Sequence, residues 1–190
     1  NRLVKPGSHT AYLKIADGCS HSCTFCAIPS IKGRFRSRNP ESLVREGHAL
    51  AEKGIKELIL VAQDTSGYGR DLALKHPFRI LLEGLTELNG IAWIRLMYFY
   101  PTHVEKWLLE FMAEHETICN YVDLPLQHAA GHILRNMGRP FRKEDMKRLI
   151  GSIRDIIPDC TLRTAFIVGF PGETEDMFLE LLDFVREVRF

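Results

Sequence analysis

The chain has 190 residues, enough for one domain with a sizeable core. Apolar residues make up 45% and charged residues 26%, the balance of an ordinary globular protein. The formal net charge of +1 gives no global case for nucleic-acid binding, and no apolar run approaches the length of a membrane span. Asn1 to Ser8 shows neither a secretory pattern nor an initiator Met, so the expectation is an excised piece of a longer, cytoplasmic protein.

Ala11–Ala16 is the first predicted strand. Lys32, Arg34, Arg36 and Arg38 then alternate in a basic loop, either a solvated face or a contact for an anion or partner. Asn39–Pro40 reads as an N-cap followed by proline at the first helical position. Leu43, Val44, Gly47, Leu50 and Ala51 form the face of that helix, and Gly54 stops it. Glu57–Ala62 is a nearly continuous apolar run, as for a strand buried on both faces.

The alternation repeats. Pro77–Leu88 reads as helix, Trp93–Tyr98 as strand and Thr102–His115 as helix. Tyr121–Leu124 is a short strand, followed by a helical region interrupted near Gly138–Pro140. Thr161–Val168 is the next strand and Thr174–Val188 the last helix. Five β-then-α units imply a parallel sheet, either a barrel or a doubly wound open sheet. In both, ligands sit at the C-terminal ends of the strands. The chemically informative residues follow the strands: the cysteines after the first, Gln63–Asp64 after the second, Tyr98–Pro101 after the third. Pro125–His128 follow the fourth and Gly169–Glu173 the fifth.

There are five cysteines, and Cys19, Cys23 and Cys26 crowd into eight positions. An odd count with three so close is a poor disulfide framework and a good soft-metal site. Structural zinc wants four protein ligands, and His21 lies inside the loop as a possible fourth. A 4Fe–4S cluster held by three cysteines leaves one iron open for another ligand. Spacing alone leaves both open, and position at the ligand end of the first strand favours the cluster. Cys119 and Cys160 sit at strand starts, away from that end, and read as packing.

Cys19-x-x-x-Cys23-x-x-Cys26 after a first strand resembles the signature of the radical S-adenosylmethionine superfamily. The resemblance implies a partial (β/α)6 TIM-like barrel, of which about five units are visible. It implies a 4Fe–4S cluster whose open iron chelates S-adenosylmethionine, and reductive cleavage of that cofactor to a 5′-deoxyadenosyl radical. The words Ala27–Arg38, Val61–Gly69, Leu124–His128, Met137–Arg139 and Phe166–Thr174 resemble the methylthiotransferases. Within these they are nearest to the type that adds a methylthio group to the β-carbon of an aspartate in a small-subunit ribosomal protein. The alternative is a tRNA adenosine methylthiotransferase, and a zinc-stabilised binding module is the remaining rival.

By this resemblance, residues 1–10 are a leader from an N-terminal domain carrying a second 4Fe–4S cluster. Residues 11–190 are the radical core, truncated before a C-terminal domain for ribosomal RNA or tRNA contact. An electron donor such as flavodoxin or ferredoxin is the further partner. The candidate cofactor-binding residues are Phe25, Gln63, Asp64, Gln127, Arg163 and Gly169. Gln63 or Asp64 stands where wider superfamily patterns carry Gly-Gly-Glu and offers an acceptor for an ammonium. Gln127, with His128 beside it, is a candidate ribose or substrate contact. Arg163, if buried, needs an acidic partner or a ligand carboxylate. No side chain is assigned as a catalytic acid or base.

Overall fold

A computed structural model describes residues 4–190. The frame is a set of parallel strands. β1 (Thr10–Lys14) pairs with β4 (Glu57–Val61), which pairs with β5 (Trp93–Leu96), so that Leu13, Leu60 and Leu96 lie in register. β6 (Tyr121–Asp123) pairs in parallel with β7 (Thr161–Arg163). Between β5 and β6 the seam is held by backbone bonds: Ile94 N–H donates to Thr117 O (2.7 Å), and Phe99 N–H donates to Asp123 O (2.8 Å). The order is therefore β1-β4-β5-β6-β7, and β1 and β7 do not pair with each other. This is a partial barrel of five β/α units, one of the two architectures that the alternation allows and the one that the resemblance implies.

Leu13, Leu58, Leu60, Ile94 and Val122 are completely buried, and one apolar cluster runs from Ala11 to Val188. Fully burying a side chain of this kind stabilises the fold by about 1.5–3 kcal/mol. The wall is covered by α2 (Pro40–Glu52), α3 (Pro77–Thr86), α4 (Lys106–Glu114), α6 (Lys143–Ile156) and α7 (Glu175–Val188). Asn39 caps α2 as expected, its side chain accepting from Ser42 N–H at 3.2 Å. Gly47 lets α2 and α3 close on each other, because a Cβ there would meet Leu88 Cδ1 at 2.8 Å.

Several boundaries differ from expectation. The first strand ends at Lys14, and Ala16–Asp17 (β2) turns away to pair antiparallel with Arg36–Ser37 (β3). The helix expected over Thr102–His115 is a 3-10 turn at Pro101–His103 followed by α4, because Val104 is extended. The strand expected over Thr161–Val168 stops at Arg163. Its partner β6 is only three residues long, and pairing resumes at one bridge, Gln127 with Phe166. Of the leader expected over residues 1–10, residues 1–3 lie outside the described chain, Val4 packs against the core and Thr10 begins β1.

Candidate functional site

The cysteine loop runs from Gly18 into α1 (Ile28–Lys32). Gly18 has φ +73°, and a Cβ there would meet Arg34 O at 2.3 Å, so only glycine allows the turn. Cys19 N–H donates to Gly33 O (3.1 Å), and His21 N–H donates to Cys19 Sγ (3.5 Å). All three cysteines are free thiols, with Cys19 buried and Cys23 and Cys26 half-buried.

Burial pushes the Cys19 thiol up, and the charges of Cys23, Asp64 and Cys26 push it further. Burial also raises Cys23, opposed by the Arg139 guanidinium. As thiolates the three would repel one another and need a cationic centre between them. Its size follows from spacing. Among the described residues, the set whose ligating atoms all lie within 4.8 Å of one another is His21, Asp64 and His103, not the three cysteines. A single zinc with bonds of about 2.3 Å holds its sulfurs roughly 3.8 Å apart. The wider sulfur set fits a multi-iron cluster better. His21, the fourth ligand that the zinc reading needs, has its Nε2 bonded to Asp64 instead.

The segment after α5 (Gly131–Asn136) closes over the loop. Thr24 Oγ1 donates to Asn136 O (2.8 Å) and Thr24 N–H to Met137 O (3.2 Å). Gly138, at φ +71°, would clash through a Cβ with Ser22 O at 2.8 Å. The Arg139 guanidinium then lies 4.8 Å from the Tyr100 ring and 5.5 Å from the Phe25 ring. Phe25 remains partly exposed beside it.

Two cavities flank this loop. One, of about 400 Å³, opens at the C-terminal ends of β4, β5 and β6 and is lined by Ala62, Gln63, Tyr98, Tyr100, Gln127 and Arg139 among others. Gln127 Oε1 and Arg139 Nε are buried without a hydrogen-bond partner. Tyr98 and Gln127 both hold positive φ, at +60° and +67°. Orphaned polar atoms and backbone strain thus gather on one rim, a combination that concentrates at functional sites. The other cavity, about 720 Å³, is lined by His21, Asp64, His103, Lys32, Arg34 and Arg36 among others. It lies between the cysteine loop, the basic segment and the residues that follow β4 and β5, whereas the smaller cavity reaches across the C-terminal ends of three strands, where this architecture binds ligands.

Gln63 is exposed at the smaller cavity. Asp64 is buried, and its carboxylate accepts from His21 Nε2–H (2.9 Å), His103 Nδ1–H (2.6 Å), Ser66 Oγ–H (2.8 Å) and Gly67 N–H (2.9 Å). Desolvation would raise its pKa, but the hydrogen bonds from His103 and His21 hold it far below the usual carboxylate range. Arg163 finds an acidic partner, Asp123, at 2.7 Å on the neighbouring strand. Gly169 has φ +73° with open space where a Cβ would point. His128 is fully buried: its Nδ1 accepts from Ala130 N–H (3.0 Å), and its Nε2–H donates to Glu173 (3.1 Å). Cys119 and Cys160 lie at the opposite end of the strands, their thiols raised by burial.

His103, Asp123 and Arg139 have no role in the sequence reading. Only Arg139 carried a local signal, since it stands in the Met137–Arg139 word. The other two gain their partners through pairing of distant strands.

The family model of the radical SAM superfamily matches residues 13–185. The chain belongs to this superfamily. Among curated relatives, the ribosomal protein uS12 methylthiotransferase RimO of Desulforamulus reducens is 52% identical over 189 residues, all of this chain and 43% of that protein. RimO of Clostridioides difficile is 49% identical with the same coverage. The chain thus spans less than half the length of these relatives. Among solved structures, the radical S-adenosylmethionine methyltransferase TsrM of Kitasatospora setae superposes with a TM-score of 0.72 at 20% identity, over 95% of this chain and 35% of that one. The coproporphyrinogen III oxidase HemN of Escherichia coli gives 0.67 at 18% identity, over 97% and 43%. These superpositions show the superfamily's fold.

Proposed function

We propose that this chain is the radical core of a methylthiotransferase that modifies the β-carbon of an aspartate in the small-subunit ribosomal protein uS12. The observation that carries this reading is similarity over the whole chain to RimO proteins at about half identity. The site agrees with it: three spaced thiols lie beside a rim with orphaned polar atoms.

Cys19, Cys23 and Cys26 would hold a 4Fe–4S cluster. When bound, the cluster supplies the electron that cleaves S-adenosylmethionine. The chain's own residues bind and orient. Gln127 Oε1 needs a donor and Arg139 Nε–H an acceptor, and a zwitterionic amino acid moiety provides both. Gln63 at the same cavity is a further acceptor for its ammonium. Phe25 covers the cluster side, and Gly169 leaves room for close approach at the rim. Arg163 contributes through Asp123, whose second carboxylate oxygen is buried and unpartnered. Asp64 contributes through the loop it holds.

Cys119 and Cys160 precede β6 and β7, at the opposite end of the strands from the three-cysteine loop, so they do not extend that set, and the second cluster of this reading would use cysteines elsewhere in the full-length protein. An electron donor such as flavodoxin or ferredoxin, contact with ribosomal RNA and a cytoplasmic location belong to the same reading. No helix among the described residues is long and apolar enough to cross a membrane.

The test has two stages. Anaerobic iron–sulfur reconstitution should give a reducible cluster and 5′-deoxyadenosine from S-adenosylmethionine. Full-length protein given uS12 should then add a methylthio group to one aspartate, seen by mass spectrometry. Modification of tRNA with uS12 left untouched would overturn the substrate, and absence of a reducible cluster would overturn the chemistry.

A further inference from the structure

The cysteine loop carries one side chain tied to the C-terminal rim of the barrel. His21 lies two residues after Cys19 and two before Cys23. Its ring stacks on Tyr100 with centroids 3.8 Å apart and planes at 12°. Its Nε2–H donates to Asp64, and the same Asp64 oxygen accepts from His103 Nδ1–H. The other Asp64 oxygen is held by Ser66 and Gly67, and Ser66 Oγ in turn accepts from Tyr100 N–H at 2.9 Å. Every partner comes from the segments that follow β4 or β5, so the loop is fastened at one point to the loops after two central strands.

These three residues converge as metal ligands do, yet their spacing speaks for hydrogen bonds. The 2.6 and 2.9 Å separations are hydrogen-bond lengths. A tetrahedral ion with bonds of about 2.0 Å would spread its ligands to roughly 3.3 Å. The buried Asp64 carboxylate is fully engaged by four donors, which explains why it is tolerated there.

The consequence lies on the other side of the same residue. The backbone N–H of His21 donates to Sγ of Cys19, which is buried while Cys23 and Cys26 are half-buried. Hydrogen bonds to cluster sulfurs favour the reduced, more negative state and raise the reduction potential. We infer that His21, fastened to Asp64 and stacked on Tyr100, is a positioning residue that aims its backbone N–H at Cys19 Sγ and thereby sets both the potential and the retention of the cluster. This rests on the reading that the three cysteines hold an iron–sulfur cluster.

The test uses the full-length, anaerobically reconstituted protein. His21→Phe keeps a ring to stack on Tyr100 and loses the bond to Asp64. It should lower the midpoint potential in an EPR-monitored titration and speed iron loss to a chelator by roughly 10- to 100-fold, the usual cost of losing a partner behind a metal ligand. His21→Gln, whose amide reaches the same carboxylate, should restore most of both. A role confined to folding would lower thermal stability and leave the potential in place. Asp64→Asn weakens the tether from the other end. It should speed amide exchange over residues 18–26 and iron loss, even if His21→Phe does not fold. Wild-type potential and iron retention in His21→Phe, or wild-type exchange in Asp64→Asn, would overturn the inference. Failure of the wild-type protein to hold a reducible cluster would instead overturn the reading beneath it.

Discussion

Asp123 and Arg163 face each other in register across β6 and β7, with the guanidinium 2.7 Å from a completely buried carboxylate oxygen. Arg163 is itself half-exposed, so one end of the pair is wet. Removing the arginine leaves Asp123 buried with no cation, and its second oxygen already lacks a partner. Arg163→Ala should therefore cost about 1–3 kcal/mol of stability, limited by water entering where the side chain was. Urea denaturation of the two proteins reads this directly.

Gly18 decides whether the cysteine loop can form at all. Alanine there adds a left-handed strain of about 1–2 kcal/mol and a Cβ only 2.3 Å from Arg34 O. The loop must shift to relieve the clash. Gly18→Ala should keep the barrel, as seen by circular dichroism, and lose most of its iron after reconstitution. Wild-type iron content would show that the turn tolerates a side chain.

The five cysteines should divide cleanly. Serine at 19, 23 or 26 should abolish iron binding and S-adenosylmethionine cleavage while leaving the fold intact. Serine at 119 or 160 should leave iron content at the wild-type level, because both thiols sit at the far end of the strands. Iron assays on the five single variants decide it.

The buried His128–Glu173 pair gives a pH signature. Desolvation would raise the Glu173 pKa, but hydrogen bonds from His128 and from the Phe170 and Gly169 N–H groups outweigh it and leave it lowered. A lowered carboxylate stabilises the fold fully above its unfolded value of about 4.3, and that contribution is lost as pH falls through the lower folded value. Glu173→Gln should therefore be less stable than wild type at neutral pH, with the gap closing under acid. Denaturation midpoints for both proteins from pH 7 to pH 3 check the sign. A gap that widens under acid would contradict the pairing.

Much of the architecture was legible from order alone. The Asn39–Pro40 cap, the apolar run of β4 and the period of α7 are local patterns, and local patterns survive in one dimension. The overrun of β7 to Val168 shows the limit. Its residues suit a strand, but a strand needs a partner, and β6 offers only three residues.

The three-cysteine loop was legible in the sequence alone, because its thiols lie within eight positions and their spacing is local. What the sequence could not determine is what holds that loop. His21 meets Asp64 and His103 across 43 and 82 positions, and Asp123 meets Arg163 across 40. Such contacts exist only once parallel pairing has brought the strand ends to one rim. The buried carboxylates at 64 and 123 became meaningful there, because burial makes an unpaired charge too costly to leave without a partner.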